Sequence, residues 1–298
     1  MMNYALEIEH LSKQYGSFRL DDVSLAVPGG TIMGLIGENG AGKSTTIKCI
    51  LNLIRRDSGT IRVLGMDNLR EERAVKEQIG VVLDECTFHE TLRACEVGKI
   101  LSRIYRRWDS ACFEDYLRKF GLPRDKTIKE YSKGTKMKLS IASALSARPR
   151  LLILDEATGG LDPVVRDEIL DEFLAFIQEE THAILISSHI TSDLEKVADY
   201  VTYLHKGKVA VQGAKDELLD TYGRLVCARS DLAAVDPALL AGKRVSQFGC
   251  EALIKDRRAF CRRYPQLTVD PVTLEEIMLF TVKGDASCAD WSARTFLS

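Results

Sequence analysis

Gly37-Glu38-Asn39-Gly40-Ala41-Gly42-Lys43-Ser44-Thr45 fits the spacing G-x-x-x-x-G-K-[ST]. These residue types suit one task, holding a triphosphate. Glycines let successive backbone N–H groups turn inward onto phosphate oxygens with no Cβ in the way. Lys43 is then placed to bridge the β- and γ-phosphates, and the Ser44 hydroxyl to ligate Mg²⁺. A second set lies downstream, where Leu151-Leu152-Ile153-Leu154 runs into Asp155-Glu156. A central parallel strand reads as such an aliphatic run, and ligands in open α/β sheets gather at strand C-terminal ends. Asp155 is therefore expected to hold Mg²⁺, directly or through water, opposite Ser44. Glu156, one step further, is the candidate to orient or deprotonate a water. Ala183-Ile184-Leu185-Ile186-Ser187-Ser188-His189 is another buried-strand pattern with a polar end, which makes His189 a candidate donor to the γ-phosphate.

The elements that must position these residues are legible around them. Thr31-Ile32-Met33-Gly34-Leu35-Ile36 is an apolar run before the loop. After it, Ile47, Ile50, Leu51 and Ile54 recur at i, i+3, i+4 and i+7, the stripe of a helix. Strand, loop and helix together are the context the motif requires, and a chance glycine-rich turn lacks it. The helix N-terminus adds about half a positive charge aimed at the same anion. Residues 4–30 read as strands, with turns at Tyr15-Gly16-Ser17 and Pro28-Gly29-Gly30. Tyr15 stands where an aromatic can stack on a purine, a contact worth about 0.5–1.5 kcal/mol beyond burial, or can simply pack in its strand. Ile79-Gly80-Val81-Val82-Leu83-Asp84-Glu85 predicts a second buried strand ending in two carboxylates.

Helical spacing dominates from about 91 to 131, and a further helix is expected from Ser132, a good N-cap, to Ala147. An amphipathic helix is expected over 164–180, and Ser192 to Glu195 fits a capping box for the next one. Residues 201–204 and 209–211 predict a hairpin about Lys206-Gly207-Lys208. Past Asp220 the character shifts: 225–227 and 252–254 read as short strands, Thr273 to Val282 as a helix, and no acid or loop there suggests chemistry. The fold class is α/β, a P-loop domain over 1–215 with an N-terminal antiparallel β part, a mixed or parallel core sheet and a helical insert at about 88–145. A small accessory domain at 220–284 and a polar tail at 285–298 complete the expected organisation.

Composition narrows the function classes. The 298 residues are 45% hydrophobic and 28% charged, with net charge -2, so no bulk attraction to nucleic acid or acidic lipid is built in. The eight cysteines include no C-x-x-C pair and are expected to be reduced thiols in a reducing cytosol. No apolar run approaches the roughly 18–20 residues of a membrane-spanning helix, and Met1 to Glu7 shows no signal-peptide pattern. The expectation is a soluble chain whose membrane role comes through a partner.

From residue 4 to about 215 the motifs, in order, resemble the ATP-binding subunit of an ABC (ATP-binding cassette) transporter. The P-loop at 37–45, the acidic strand at 151–156 and the stretch LSIASALSARPRLLILDEATGGLDP carry the resemblance. It implies ATP and Mg²⁺, adenine stacking for Tyr15, a D-loop at Gly160-Leu161-Asp162 and a switch role for His189. It also implies that Ser132 and Gly134 contact the γ-phosphate on an opposite subunit. The partners it implies are a second ATP-binding subunit, identical or not, and an integral membrane permease on a separate chain, with no nucleic acid. The location would be cytoplasmic, on the inner face of the membrane. The length and the ending Pro271 to Ile277 resemble bacterial exporter-type subunits of drug, antibiotic or peptide efflux.

The chain departs from the family pattern in two places. Asp84 stands where a Mg²⁺-touching glutamine is usual; a carboxylate can serve the metal but adds negative charge near the triphosphate. The signature loop is Tyr131-Ser132-Lys133-Gly134-Thr135, with Lys133 in place of a glycine and Thr135 in place of a glutamine. A lysine there either adds a charge contact to phosphate or obstructs close approach, and the sequence leaves both open. These departures motivate a competing reading, a weakly hydrolysing regulatory subunit. A third is a soluble ABC protein working on DNA or ribosomes; the missing long heptad insert, the single cassette and the near-neutral charge stand against it.

Overall fold

A computed structural model describes residues 4–245 and 249–283; the expected tail at 285–298 lies outside the described residues. The chain divides into two compact units, Met1–Gln212 and Gly213–Ser298. In order, the first carries β1 (Tyr4–Tyr15), β2 (Phe18–Pro28), β3 (Ile32–Gly37), α1 (Lys43–Ile50), β4 (Ser58–Val63), β5 (Met66–Asp67), α2 (Glu72–Lys76) and β6 (Ile79–Val82). There follow α3 (Ala94–Ile104), α4 (Ser110–Lys119), α5 (Lys133–Ser146), β7 (Leu151–Asp155), α6 (Pro163–Phe176), β8 (Ala183–Ser188), α7 (Thr191–Val197), β9 (Tyr200–His205) and β10 (Lys208–Ala214). No helix among the described residues is long and apolar enough to cross a membrane.

Two sheets build this unit. The antiparallel one has the order β2-β1-β4-β5, and the core sheet has the order β10-β9-β3-β8-β7-β6. Every residue of β3, β7 and β8 is buried, the expected outcome for aliphatic strands covered on both faces. β3 runs parallel to β8 and β9, and β7 parallel to β8 and β6. The register sets Ile36 beside Ser188, Asp155 beside Ser187 and Val82 beside Leu154. The C-terminal ends of four parallel strands therefore open onto one edge, and the P-loop, Glu156, His189 and Asp84 all follow from it.

The helices begin where side chains can meet orphan N–H groups. Asp109 caps α4, Ser132 caps α5 and Asp162 caps α6, whose first residue is Pro163. Four expectations need correction. α1 stops at Ile50, short of Ile54, because the buried Asn68 donates its Nδ2 to the carbonyls of Cys49 (3.0 Å) and Ile50 (2.9 Å). β6 stops at Val82, so Asp84 and Glu85 sit exposed in the bend beyond it. α6 closes at Phe176, short of 180. α7 starts at Thr191 with Ile190 at its N-cap, so the Ser192 to Glu195 capping box does not form.

The second unit contains α8 (Lys215–Thr221), β11 (Gly223–Cys227), α9 (Arg229–Ala234), β12 (Leu240–Val245), β13 (Cys250–Ile254), α10 (Arg257–Arg263), β14 (Val269–Asp270) and α11 (Leu274–Lys283). Its sheet has the order β12-β13-β11-β14, with antiparallel pairs throughout. Leu225, Val235, Ala252, Ile254, Phe260 and Val269 form a core of their own. The capping box at Thr273 is present, with the Glu276 carboxylate accepting from the Thr273 N–H at 3.0 Å.

Candidate active site

Residues 37–42 are held in a shape that side chains would break. A Cβ on Gly37 would come within 2.7 Å of the Leu204 carbonyl and 2.9 Å of the Ala41 Cβ. Gly42 has φ 115°, and a Cβ there would stand 2.7 Å from the Leu20 Cδ1 and 3.2 Å from the Phe18 Cζ. The β9–β10 turn supports the loop from the other side. Gly207 donates its N–H to the Ala41 carbonyl at 3.0 Å and accepts from the Asp21 N–H at 2.8 Å. Lys206 and Gly207 both have positive φ, 47° and 79°, the backbone of a tight hairpin turn. Helix α1 starts at Lys43 with no acid in its first turn, so nothing answers its positive end from within.

Lys43 and His189 meet at Glu156. Lys43, buried, donates its ammonium to the Gly37 carbonyl at 2.7 Å and pairs with the Glu156 Oε1 at 3.0 Å. The Glu156 Oε2 lies 2.6 Å from the His189 Nδ1. The glutamate has φ 53°, the left-handed region that a non-glycine residue rarely enters. Its N–H donates to the Ser187 carbonyl (3.1 Å) and to the Ser187 Oγ (3.1 Å), which fixes that backbone. Burial pushes the Glu156 carboxyl up, but hydrogen bonding and charge from Lys43, with His189 adding to them, hold it below the usual carboxylate range.

Asp155 is buried and its Oδ1 accepts from the Ser187 Oγ at 2.5 Å. Ser187 thus supports both acids, a role that sequence reasoning missed. Its only trace was a polar residue closing the aliphatic run of β8. The donor chemistry fits Mg²⁺: a half-buried Ser44 hydroxyl and the Asp155 carboxylate are hard oxygen ligands, and this ion takes few protein groups beside phosphate oxygens. Among the described residues no three His, Cys, Asp or Glu side chains cluster as a metal site of their own.

The remaining candidates fall into three places. Glu38, Asn39 and Gly40 are exposed at the crest of the loop, while Thr45 is half-buried in α1. Tyr15 ends β1 opposite Phe18, whose ring borders Gly42, and is 45% exposed with the Lys13 Nζ 5.4 Å from its ring centroid. Ser132 and Gly134 belong to a separate cluster with the Asp162 end of α6. There Ser132 accepts from the Thr135 N–H at 3.1 Å and Gly134 packs on Val165. Among the described residues, no hydrogen bond or ion pair joins Ser132 or Gly134 to the P-loop of the same chain.

A glycine-rich loop between a buried strand and a helix, a buried lysine, and acids ending the next-but-one parallel strand define a P-loop nucleoside triphosphatase. Known proteins place it more closely. The family model described as ABC transporter matches residues 20–159. The chain is 34% identical over 221 residues to the bacitracin transport ATP-binding protein BcrA of Enterococcus faecalis, covering 73% of this chain and 72% of that protein. It is 35% identical over 214 residues to the lantibiotic transport ATP-binding protein SrtF of Streptococcus pyogenes, covering 71% and 91%. A solved ATP-binding subunit of an ABC transporter superposes with a TM-score of 0.66 at 31% identity, covering 72% of this chain and 91% of that one. The chain belongs to the ABC transporter family, as an ATP-binding and ATP-hydrolysing subunit that powers transport.

Proposed function

We propose that this subunit drives export through a separate membrane permease, two ATP-binding subunits closing on ATP with each hydrolysis step. The observation that carries the chemistry is the unbroken connection Lys43–Glu156–His189 at the C-terminal edge of the core sheet. A triphosphate in the loop meets the loop N–H groups, the α1 N-terminus and the Lys43 ammonium. Drawn onto phosphate, Lys43 leaves the Glu156 Oε1 free to accept a proton from an attacking water. His189 keeps the other Glu156 oxygen and orients the carboxylate. Ser44 and Asp155 would hold Mg²⁺, with Asp84 as a further oxygen donor, and the ion would neutralise charge on the β- and γ-phosphates. Tyr15 offers the adenine a stacking face beside Gly42.

Among the described residues no hydrogen bond or ion pair joins the Ser132 to Gly134 turn or the D-loop at Asp162 to its own P-loop, which supports their serving the γ-phosphate of a second copy. A cleft of about 1150 Å³ runs past the ends of α1, β6 and α3, with Leu53, Leu69 and Ile104 exposed among Arg70, Glu77 and Arg106. An apolar floor with a charged rim suits a short helix of the permease, which supports a position at the cytoplasmic face of the membrane. The bacitracin and lantibiotic relatives support export of a peptide antibiotic or similar drug. Unit Gly213–Ser298 is an accessory domain of the same subunit. The test is Glu156→Gln: ATP binding should persist while turnover is abolished, and undiminished hydrolysis would remove Glu156 from the mechanism.

A further inference from the structure

Cys227 and Cys250 are distant in the chain and stand side by side in the second unit. The β11–β13 ladder runs without a register shift from Gly223 opposite Ile254, through Leu225 opposite Ala252, to Cys227 opposite Cys250. Directly opposed residues of an antiparallel ladder put their side chains on the same face. Here it is the core face, since Leu225, Ala252 and Ile254 are fully buried. Cα atoms opposed in this way are about 4.5–5.5 Å apart, inside the window of about 4.4–6.8 Å that a disulfide spans. Both side chains are free thiols. Among the described residues, Cys49, Cys86, Cys95, Cys112 and Cys261 lie outside every strand, so no other two cysteines are opposed.

The two thiols differ in access. Cys250 is 1% exposed and is flanked on both sides, by Cys227 of β11 and by Val245 of β12. Cys227 closes its strand and is half-buried. Among the described residues β14 pairs with β11 only at Arg224 and Leu225, which leaves the far side of Cys227 without a strand. A reagent in solution therefore meets Cys227 first. Burial, with Cys250 and Asp231 adding to it, pushes the Cys227 thiol up, and a hydrogen bond from the Leu232 N–H works the other way. The pair accordingly rests as two thiols at neutral pH.

We propose that Cys227 and Cys250 form a redox-active dithiol that a low-molecular-weight disulfide oxidises to one intramolecular bond. The Cys227 thiolate attacks one sulfur of the small disulfide, whose S–S bond breaks and releases a first thiolate. The Cys250 thiolate then attacks the Cys227 sulfur, forming the protein disulfide and releasing the second thiolate. The two cysteines give up two protons and two electrons, and the small disulfide becomes two thiols. The ladder supplies both roles, an accessible sulfur that is met first and a buried one held opposite to resolve the adduct. The product staples the open end of β11 to β13 with no change of register. This site lies in the second unit and does not depend on the nucleotide chemistry proposed above.

The test incubates the native full chain in mixtures of reduced and oxidised glutathione, quenches with acid, alkylates the remaining thiols and maps the peptides by mass spectrometry. The expected record is loss of both thiols together and a cross-linked pair of peptides carrying Cys227 and Cys250, reversed by dithiothreitol. Cys250→Ser should stop at a glutathione adduct on Cys227, and Cys227→Ser should leave Cys250 unmodified. Both thiols still free in oxidised glutathione alone, or a lasting glutathione adduct on Cys227 of the parent, would overturn the proposal. So would a Cys227–Cys250 bond that forms only in urea, where the ladder no longer opposes the two sulfurs.

Discussion

The Lys43 Nζ stands 3.0 Å from the Glu156 Oε1, an ion pair whose side chains are only 6% and 19% exposed. The cation proposed to recognise phosphate and the carboxylate proposed to handle water are thus each other's partners. Removing one leaves the other desolvated. Lys43→Met should destabilise the fold by about 1–3 kcal/mol at neutral pH, since a buried charge left unpaired costs more than the pair contributes. Glu156→Gln should cost less, because an amide oxygen still accepts from Lys43. Urea unfolding of both variants and of the double variant measures the coupling. Additive losses would show that the pair is not coupled.

The same pair sets an acid dependence. Glu156 is held below the usual carboxylate range in the folded chain, so its contribution is complete above its ordinary value near 4.5. It is lost as pH falls through the lower, folded-state value. The stability difference between the parent and Glu156→Gln should therefore be flat from pH 7 to about 5 and shrink below that. A difference that grows on acidification has the wrong sign for this assignment.

Asn68, with its side chain buried, joins the end of the P-loop helix to the following strand pair. It donates to two α1 carbonyls and accepts from the Arg56 Nη1 at 2.7 Å. Asn68→Ala leaves those carbonyls unmet and should cost about 2–3 kcal/mol. The expected record is a lower urea midpoint with an unchanged slope. Unchanged midpoints would mean that water replaces the amide.

Thiol reactivity should separate by environment. Burial pushes the Cys49 thiol up to about 11, and the side chain is inaccessible. Cys261 is exposed. Because the thiolate is the reactive form, an alkylating reagent at pH 8 should modify Cys261 in the native chain and Cys49 only after unfolding. Peptide mass mapping before and after urea distinguishes the two.

Much of the site was legible because its residues are adjacent in sequence. The loop 37–45, the run into Asp155 and Glu156, and Ser132 as an N-cap all follow from local pattern and side-chain chemistry. What stayed hidden depends on pairing between distant segments. Ser187 acts on Asp155 and Glu156 only because β7 and β8 are adjacent in register, and Asn68 ends α1 from 18 residues away. In the second unit, β11, β13 and α11 were foreseen, while β12, α9, α10 and β14 were not. The reasons are physical: β12 contains Gly242, Lys243 and Arg244 and is only half-buried, and α9 and α10 span six and seven residues, too short for a periodic stripe.

The brace that Gly207, Leu20 and Phe18 place around the P-loop has a consequence for which nucleotide is taken. A loop already fixed by its neighbours loses little backbone freedom when phosphate arrives, so the polyphosphate tail supplies most of the affinity. In the role proposed above, the partly exposed ring of Tyr15 takes the base, and stacking on an aromatic face tolerates any purine. On that proposal selectivity between adenine and guanine should be shallow, and GTP should compete with ATP for the same loop.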